Sequence, residues 1–202
     1  MFKRLFASFL LSLAAVTAFA AEPAYRTLAT PGRVDKPGLI EVREFFWYGC
    51  PHCYKLEPHM AAWLKTKPAD VNFVRTPAAL NPVWEVNARG YYTVELMGML
   101  EKTHGALFDA IHRGGKRPYD PDSLAAFYTA FGVNPSTFKS TYNSFAVDGK
   151  VSQSRALAQF YGLDGVPAVV VNGKYVVKGE GPEVIATINA LIARERAAAR
   201  KK

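Results

Sequence analysis

The sequence predicts an α/β protein built as a β-α-β unit, an inserted all-helical domain, and then a β-hairpin followed by a closing helix. Three observations predict it. Two strand-like runs rich in β-branched and aromatic residues, Leu39–Trp47 and Val71–Arg75, flank a stretch with apolar residues at helical spacing. From Val83 to Tyr161 about five helical patterns follow one another with no strand between them. Asn172-Gly173 then separates two β-branched runs, the strongest short-range hairpin signal.

Each element has a local reason. Ala24–Leu28 is a possible short strand, followed by a loop marked by Pro31, Gly32, Pro37 and Gly38. Leu39–Trp47 turns apolar on both faces toward its end, as a buried strand does. Pro51 to Lys65 places Leu56, Met60 and Leu64 on one helical face, and Val71–Arg75 returns as a strand, which implies a parallel pair with a helix crossing over. In the inserted region the spacing predicts helices over 83–100, 106–112, 122–131, 135–142 and 151–161. Asn134-Pro135 is a cap followed by a proline at the first helical position, and Gly132 and Gly162 are terminators. Strands return at Ala168–Val171 and Lys174–Val177, and a helix over Pro182–Ala198 buries Ile185, Ile188, Leu191 and Ile192.

Residues 1–20 have the layout of an export signal: Lys3 and Arg4, an apolar core from Leu5 to Val16 too short to span a bilayer, and Ala18-Phe19-Ala20 as the cleavage pattern. The mature chain of 182 residues is expected to be soluble and exported. The formal charge of +8 is concentrated at the two ends, because Lys3 and Arg4 leave with the signal and Arg194–Lys202 holds five basic groups against one acid. The body is left near neutral, which argues against nucleic acid as a partner.

The chain has two cysteines, in Cys50-Pro51-His52-Cys53 directly after Phe45-Phe46-Trp47-Tyr48-Gly49. In an exported protein two cysteines usually make a disulfide, but a two-residue gap removes little chain entropy, so the bond is a poor staple. A helix beginning there presents unpaired N–H groups and a partial positive charge to the first sulfur. Cys50 is therefore expected to be the exposed, reactive sulfur, Cys53 its more buried partner, and His52 an added donor or cation beside the thiolate. Pro51 costs nothing at that position. A mononuclear metal site usually needs four ligands, more than this pair supplies, and no metal or cofactor is expected.

Two further features stay open from the residues alone. Glu44 shares a strand face with Ile40, Val42 and Phe46, so it is either a carboxylate buried beneath the helix, able to relay the Cys53 proton, or a surface acid like its charged neighbours Glu41 and Arg43. Gly165-Val166-Pro167 before a strand is either an ordinary loop or, with a cis bond, a segment whose Val166 backbone can pair with an extended peptide. His59, on nearly the same helix face as His52, could modulate the site, whereas His104 and His112 read as surface residues.

Cys-Pro-His-Cys-Tyr preceded by Glu44-Phe45-Phe46 and followed by Glu57, with Gly-Val-Pro-Ala and Val171-Asn172-Gly173-Lys174-Tyr175 later on, resembles the DsbA family of periplasmic thiol:disulfide oxidases across essentially the whole mature chain. The resemblance implies a thioredoxin fold with residues 21–78 as its first part, a helical insertion over 79–149, and residues 150–202 as its second part. It implies Cys50 as the substrate-linked nucleophile, Cys53 as the resolving cysteine, His52 as the thiolate stabiliser, Glu44 as the buried acid, and Pro51, Val166 and Pro167 as the substrate-binding surface, Pro167 being a cis-proline facing the disulfide. Pro58 and Trp47-Tyr48-Gly49 depart from the best-known members, which bears on substrate preference.

The implied activity is a monomeric disulfide oxidase that donates the Cys50–Cys53 bond to reduced, unfolded exported proteins and is recharged by a quinone-linked DsbB-like inner-membrane partner. The competing readings are a reductase or isomerase using the same cysteines, and a non-catalytic secreted metal-binding module.

Overall fold

A computed structural model describes residues 24–201; the export signal expected over 1–20 lies outside them. Among the described residues seven helices and five strands follow in the order β1 (Tyr25–Thr27), β2 (Ile40–Phe46), α1 (Pro51–Leu64), β3 (Val71–Pro77), α2 (Pro82–Leu96), α3 (Leu100–His112), α4 (Pro121–Thr129), α5 (Pro135–Tyr142), α6 (Phe145–Phe160), β4 (Ala168–Val171), β5 (Tyr175–Lys178) and α7 (Pro182–Ala199). The strands form one sheet in the order β1-β5-β4-β2-β3. β2 runs parallel to β3 from Ile40↔Val71 to Phe46↔Pro77, and antiparallel to β4 from Val42↔Val171 to Phe45↔Ala168.

Alternation along β2 divides the core. Val42 faces α1 and α7 and packs with Leu56, Met60, Ile188 and Leu191. Phe45 faces the other side, against Ala158 and Tyr161 at the end of α6. Phe46 opens the third cluster, which continues into the helical insertion and takes in both cysteines. The cysteine pair therefore sits at the seam between the sheet domain and the insertion.

The predicted α/β class and its insertion are present, and most differences concern helix ends. The single helix expected over 83–100 is two. Gly98 adopts φ +68, Gly98 N–H bonds to Glu95 C=O and Met99 N–H to Val94 C=O, and this paired C-terminal motif stops α2. α3 consequently begins at Leu100, six residues before the expected start, and carries His104 on its second turn. α6 begins at Phe145 with Ser144 as its cap. Its first half contributes Val147 and Val151 to the helical cluster and its second half packs Ala158 on the sheet, so one helix serves both units. Asn172 (φ 50) and Gly173 (φ 65) make the hairpin turn, with both residues left-handed as a type I′ turn requires.

Candidate active site

Cys50 is the N-cap of α1, with φ −85 and ψ 117, and Pro51 occupies the first helical position. The turn before it is closed by Cys50 N–H to Trp47 C=O at 3.0 Å. Gly49 is needed there because a Cβ would meet the Trp47 ring at 2.3 Å. That ring lies across the turn, stacked on Trp84 at 5.0 Å, with its Nε1–H bonded to Asn87 Oδ1 at 2.8 Å. The helix start thus presents one rigid face to the sulfur.

Both cysteines are free, as in the reduced protein. The expected exposed sulfur is more enclosed than its position at a helix start suggests: Cys50 is 7% exposed and Cys53 0%. Val166 contributes to the enclosure through its carbonyl oxygen, which accepts from Cys50 Sγ at 3.3 Å, and both cysteines belong to the apolar cluster that runs into the insertion. The Cys50 thiol is lowered to about 6, chiefly by the hydrogen bond from the Cys53 side chain. Burial opposes this, the backbone N–H groups of Cys53 and His52 reinforce it, and the His52 charge contributes last. The Cys53 thiol is pushed far above its ordinary value, first by burial and then by the neighbouring Cys50 sulfur. The pair is therefore strongly asymmetric: the outer sulfur is an anion near neutrality and the inner one remains protonated.

His52 is exposed and pairs through Nδ1 with Glu180, which also accepts from Lys55 Nζ at 3.1 Å. Glu180 lies in the turn after β5 and nothing local in the sequence announced it. The Val166–Pro167 bond is cis and leads directly into β4. His59 joins none of these contacts.

Glu44 is 1% exposed and lies on the sheet face beneath α1. Burial raises its carboxyl to about 7, with Arg75 opposing and Glu57 reinforcing the rise. Arg75, on β3, places Nε 3.4 Å from Glu44 and Nη2 3.0 Å from Glu57 Oε1. Glu57 Oε2 lies 3.4 Å from His104 Nε2, and His104 Nδ1 lies 2.9 Å from the Tyr48 hydroxyl. Burial works against the Glu57 charge, but the His104 and Arg75 donors hold its carboxyl below the usual range. Glu41 and Arg43, the charged neighbours that left a surface position open for Glu44, are buried as well. Arg43 binds Glu41 at 2.9 Å and Asp35 at 2.7 Å on the opposite face of the sheet.

His104 and His112 are not surface residues. His104 is 5% exposed, and His112 Nε2 lies 2.8 Å from the Tyr48 carbonyl oxygen while its ring stacks on Tyr54 at 4.7 Å. Starting α3 at Ala106 hid the position of His104, because the helix in fact begins at Leu100 and its second turn carries His104 beneath α1.

A mismatched cysteine pair at a helix start, a cis-proline opposite its outer sulfur, and a buried acid beneath it define a thiol:disulfide oxidoreductase of thioredoxin fold. Comparison with known proteins narrows the class. The DSBA-like thioredoxin domain family matches residues 41–188. The thiol:disulfide interchange protein DsbA of Pseudomonas aeruginosa is 45% identical over 181 residues, covering 88% of this chain and 86% of its own. Its Burkholderia cepacia counterpart is 40% identical over 182 residues, covering 86% of each chain. The crystal structure of Pseudomonas aeruginosa DsbA superposes with a TM-score of 0.82 at 44% identity, over 88% of this chain and 94% of that one. Oxidoreductase DsbA from Xylella fastidiosa does so with 0.75 at 39% identity, over 80% and 88%. The chain belongs to the DSBA-like thioredoxin domain family.

Proposed function

We propose that the protein works as an oxidase of reduced exported polypeptides in the periplasm, with Cys50 as the atom that meets the client. A client thiolate attacks Cys50 Sγ, the Cys50–Cys53 bond breaks, and its electron pair leaves on Cys53. Cys53 takes up a proton, for which Glu44, raised to about 7, is the adjacent donor. A second client thiolate then attacks the client sulfur of the mixed disulfide and Cys50 departs as a thiolate. The client loses two electrons and two protons, and the protein keeps both electrons and one proton.

The observation that carries this direction is the lowered Cys50 thiol, since a stable thiolate favours the reduced protein and makes its disulfide the stronger oxidant. Val166 and cis-Pro167 support a role in pairing an extended client chain across from Cys50, and Pro51 with His52 forms the opposite rim. Among the described residues no helix is long and apolar enough to cross a membrane. The reoxidant fitting this chemistry is a membrane-bound, quinone-linked partner of the DsbB kind, because the reduced dithiol has to pass two electrons onward before each new client. The test is oxidation of a reduced, unfolded client by the purified disulfide form: Cys50→Ser is expected to abolish it, and a variant that still forms client disulfides overturns the proposal.

A further inference from the structure

Glu57 is held on both oxygens, by Arg75 from β3 and by His104 from α3. With Glu57 ionised and the ring neutral, the hydrogens in this chain run one way. An ionised Glu57 is acceptor only, so His104 Nε2 must carry a hydrogen; in a neutral ring Nδ1 then accepts, and the Tyr48 hydroxyl must donate to it. A charged ring would make the Tyr48 hydroxyl the acceptor and leave its own buried hydrogen without a partner, and burial lowers the His104 pKa in the same sense.

The groups that face His104 come from four elements. Glu57 on α1, Lys65 at its C-terminal cap, Arg75 on β3 and Glu101 on α3 itself line, with His104, a cleft of about 350 Å³, while Tyr48 meets the ring from the turn before α1. Phe46, Tyr91 and Phe108 pack edge-on around the ring, so it cannot turn freely. An imidazole fixed in one tautomer by a buried hydroxyl does more than fill space, since it decides which way its neighbour's carboxylate points.

We propose that His104 is a positioning residue of the redox centre: from the helical insertion it holds Glu57 ionised and turned toward Arg75, and so sets the proton affinity of Glu44 beneath Cys53. The inference rests on the reading of Glu44 as the proton donor to Cys53. It gives the insertion a part in the chemistry, because loosening α3 against α1 would move the Glu57 charge relative to Glu44.

The test uses the mature chain in its reduced form, with labelled glutamate carboxyls followed by NMR across pH, beside the pH profile of disulfide reduction by a small thiol. In His104→Phe, which keeps a ring but no donor, the Glu57 and Glu44 midpoints are expected to draw together by about one pH unit. The inflection of the exchange profile is expected to move with Glu44. His104→Gln can accept from Tyr48 and donate to Glu57, and is expected to restore both. If His104→Phe does not fold, His104→Asn, whose amide is too short to reach Glu57, takes its place with the same expectation. Native midpoints and a native profile in the variant that lacks the donor overturn the inference, whatever happens to thermal stability, and so does failure of His104→Gln to restore them. A native protein that oxidises no client would instead overturn the functional proposal, and the two failures are read from different proteins.

Discussion

The Cys50 sulfur lies 3.3 Å from the carbonyl oxygen of Val166, the residue before the cis-proline. This contact suits a thiol, which donates to the carbonyl, and not a thiolate, which has nothing to donate. What stabilises the anion comes from the other side, from the Cys53 thiol and the N–H groups at the start of α1. Titration of the reduced protein by thiolate absorbance is accordingly expected to show one sulfur ionising near pH 6 and no second one up to about pH 10. A first midpoint near 8.5, that of an unassisted thiol, would contradict the geometry.

The order of the contributions makes a second prediction. The Cys53 side chain lowers Cys50 most and the His52 charge least, in keeping with an exposed ring already paired with Glu180. Cys53→Ala is expected to raise the Cys50 midpoint by at least about one unit, and His52→Ala by about half a unit or less. For His52→Ala, whose disulfide can still form, the reduction potential against glutathione should fall by no more than about 15 mV, on the scale of roughly 30 mV per unit. A larger effect from His52 than from Cys53 reverses the assignment.

The sequence made the local parts of this site legible and left the long-range parts hidden. Cys50 at a helix start, the alternation that puts Glu44 under α1, and the Asn172-Gly173 turn are each written within a few neighbouring residues. Arg75, Glu57 and His104 come from three elements and meet only after β3 and α3 have packed against α1, so no window of sequence contains them together. Gly98 carried the stop signal for α2, but the apolar spacing runs on through Met97 and Leu100 and masked it. Glu180 sits in a turn without pattern, and its role depends on the fold bringing it to His52.

Glu44 carries the third prediction. A carboxyl raised from 4.5 to about 7 gives stability that is fully present below pH 4.5 and lost as the pH rises through 7, because the folded protein must then bury the charge. Glu44→Gln removes that loss, so at pH 8 the variant is expected to be more stable than the native protein by on the order of 1–3 kcal/mol in denaturant unfolding. The same change removes the proton donor beneath Cys53. Disulfide exchange should slow and its pH profile should lose the inflection near 7. A variant that is less stable at pH 8 would contradict the burial cost, and one as fast as the native protein would contradict the role as proton donor.

The oxidised and reduced forms should also differ in stability in a way that depends on pH, and here the Cys50 sulfur can be isolated. Its thiol is depressed from 9.0 to about 6 in the folded, reduced protein, so its contribution is full above the unfolded value and is lost as the pH falls through 6. Glu44 titrates in both redox forms, so its effect largely cancels in the difference between them. Cys53 stays protonated throughout the range and adds nothing until the unfolded thiol ionises near pH 9. At 1.36 kcal/mol per unit, the stability of the reduced form relative to the oxidised form is expected to rise by about 2–3 kcal/mol between about pH 5.5 and pH 8. Paired unfolding curves of the two forms measure this directly. A difference that stays flat across that window would mean that the folded protein does not hold Cys50 as an anion, and the oxidising direction of the reaction would lose its physical basis.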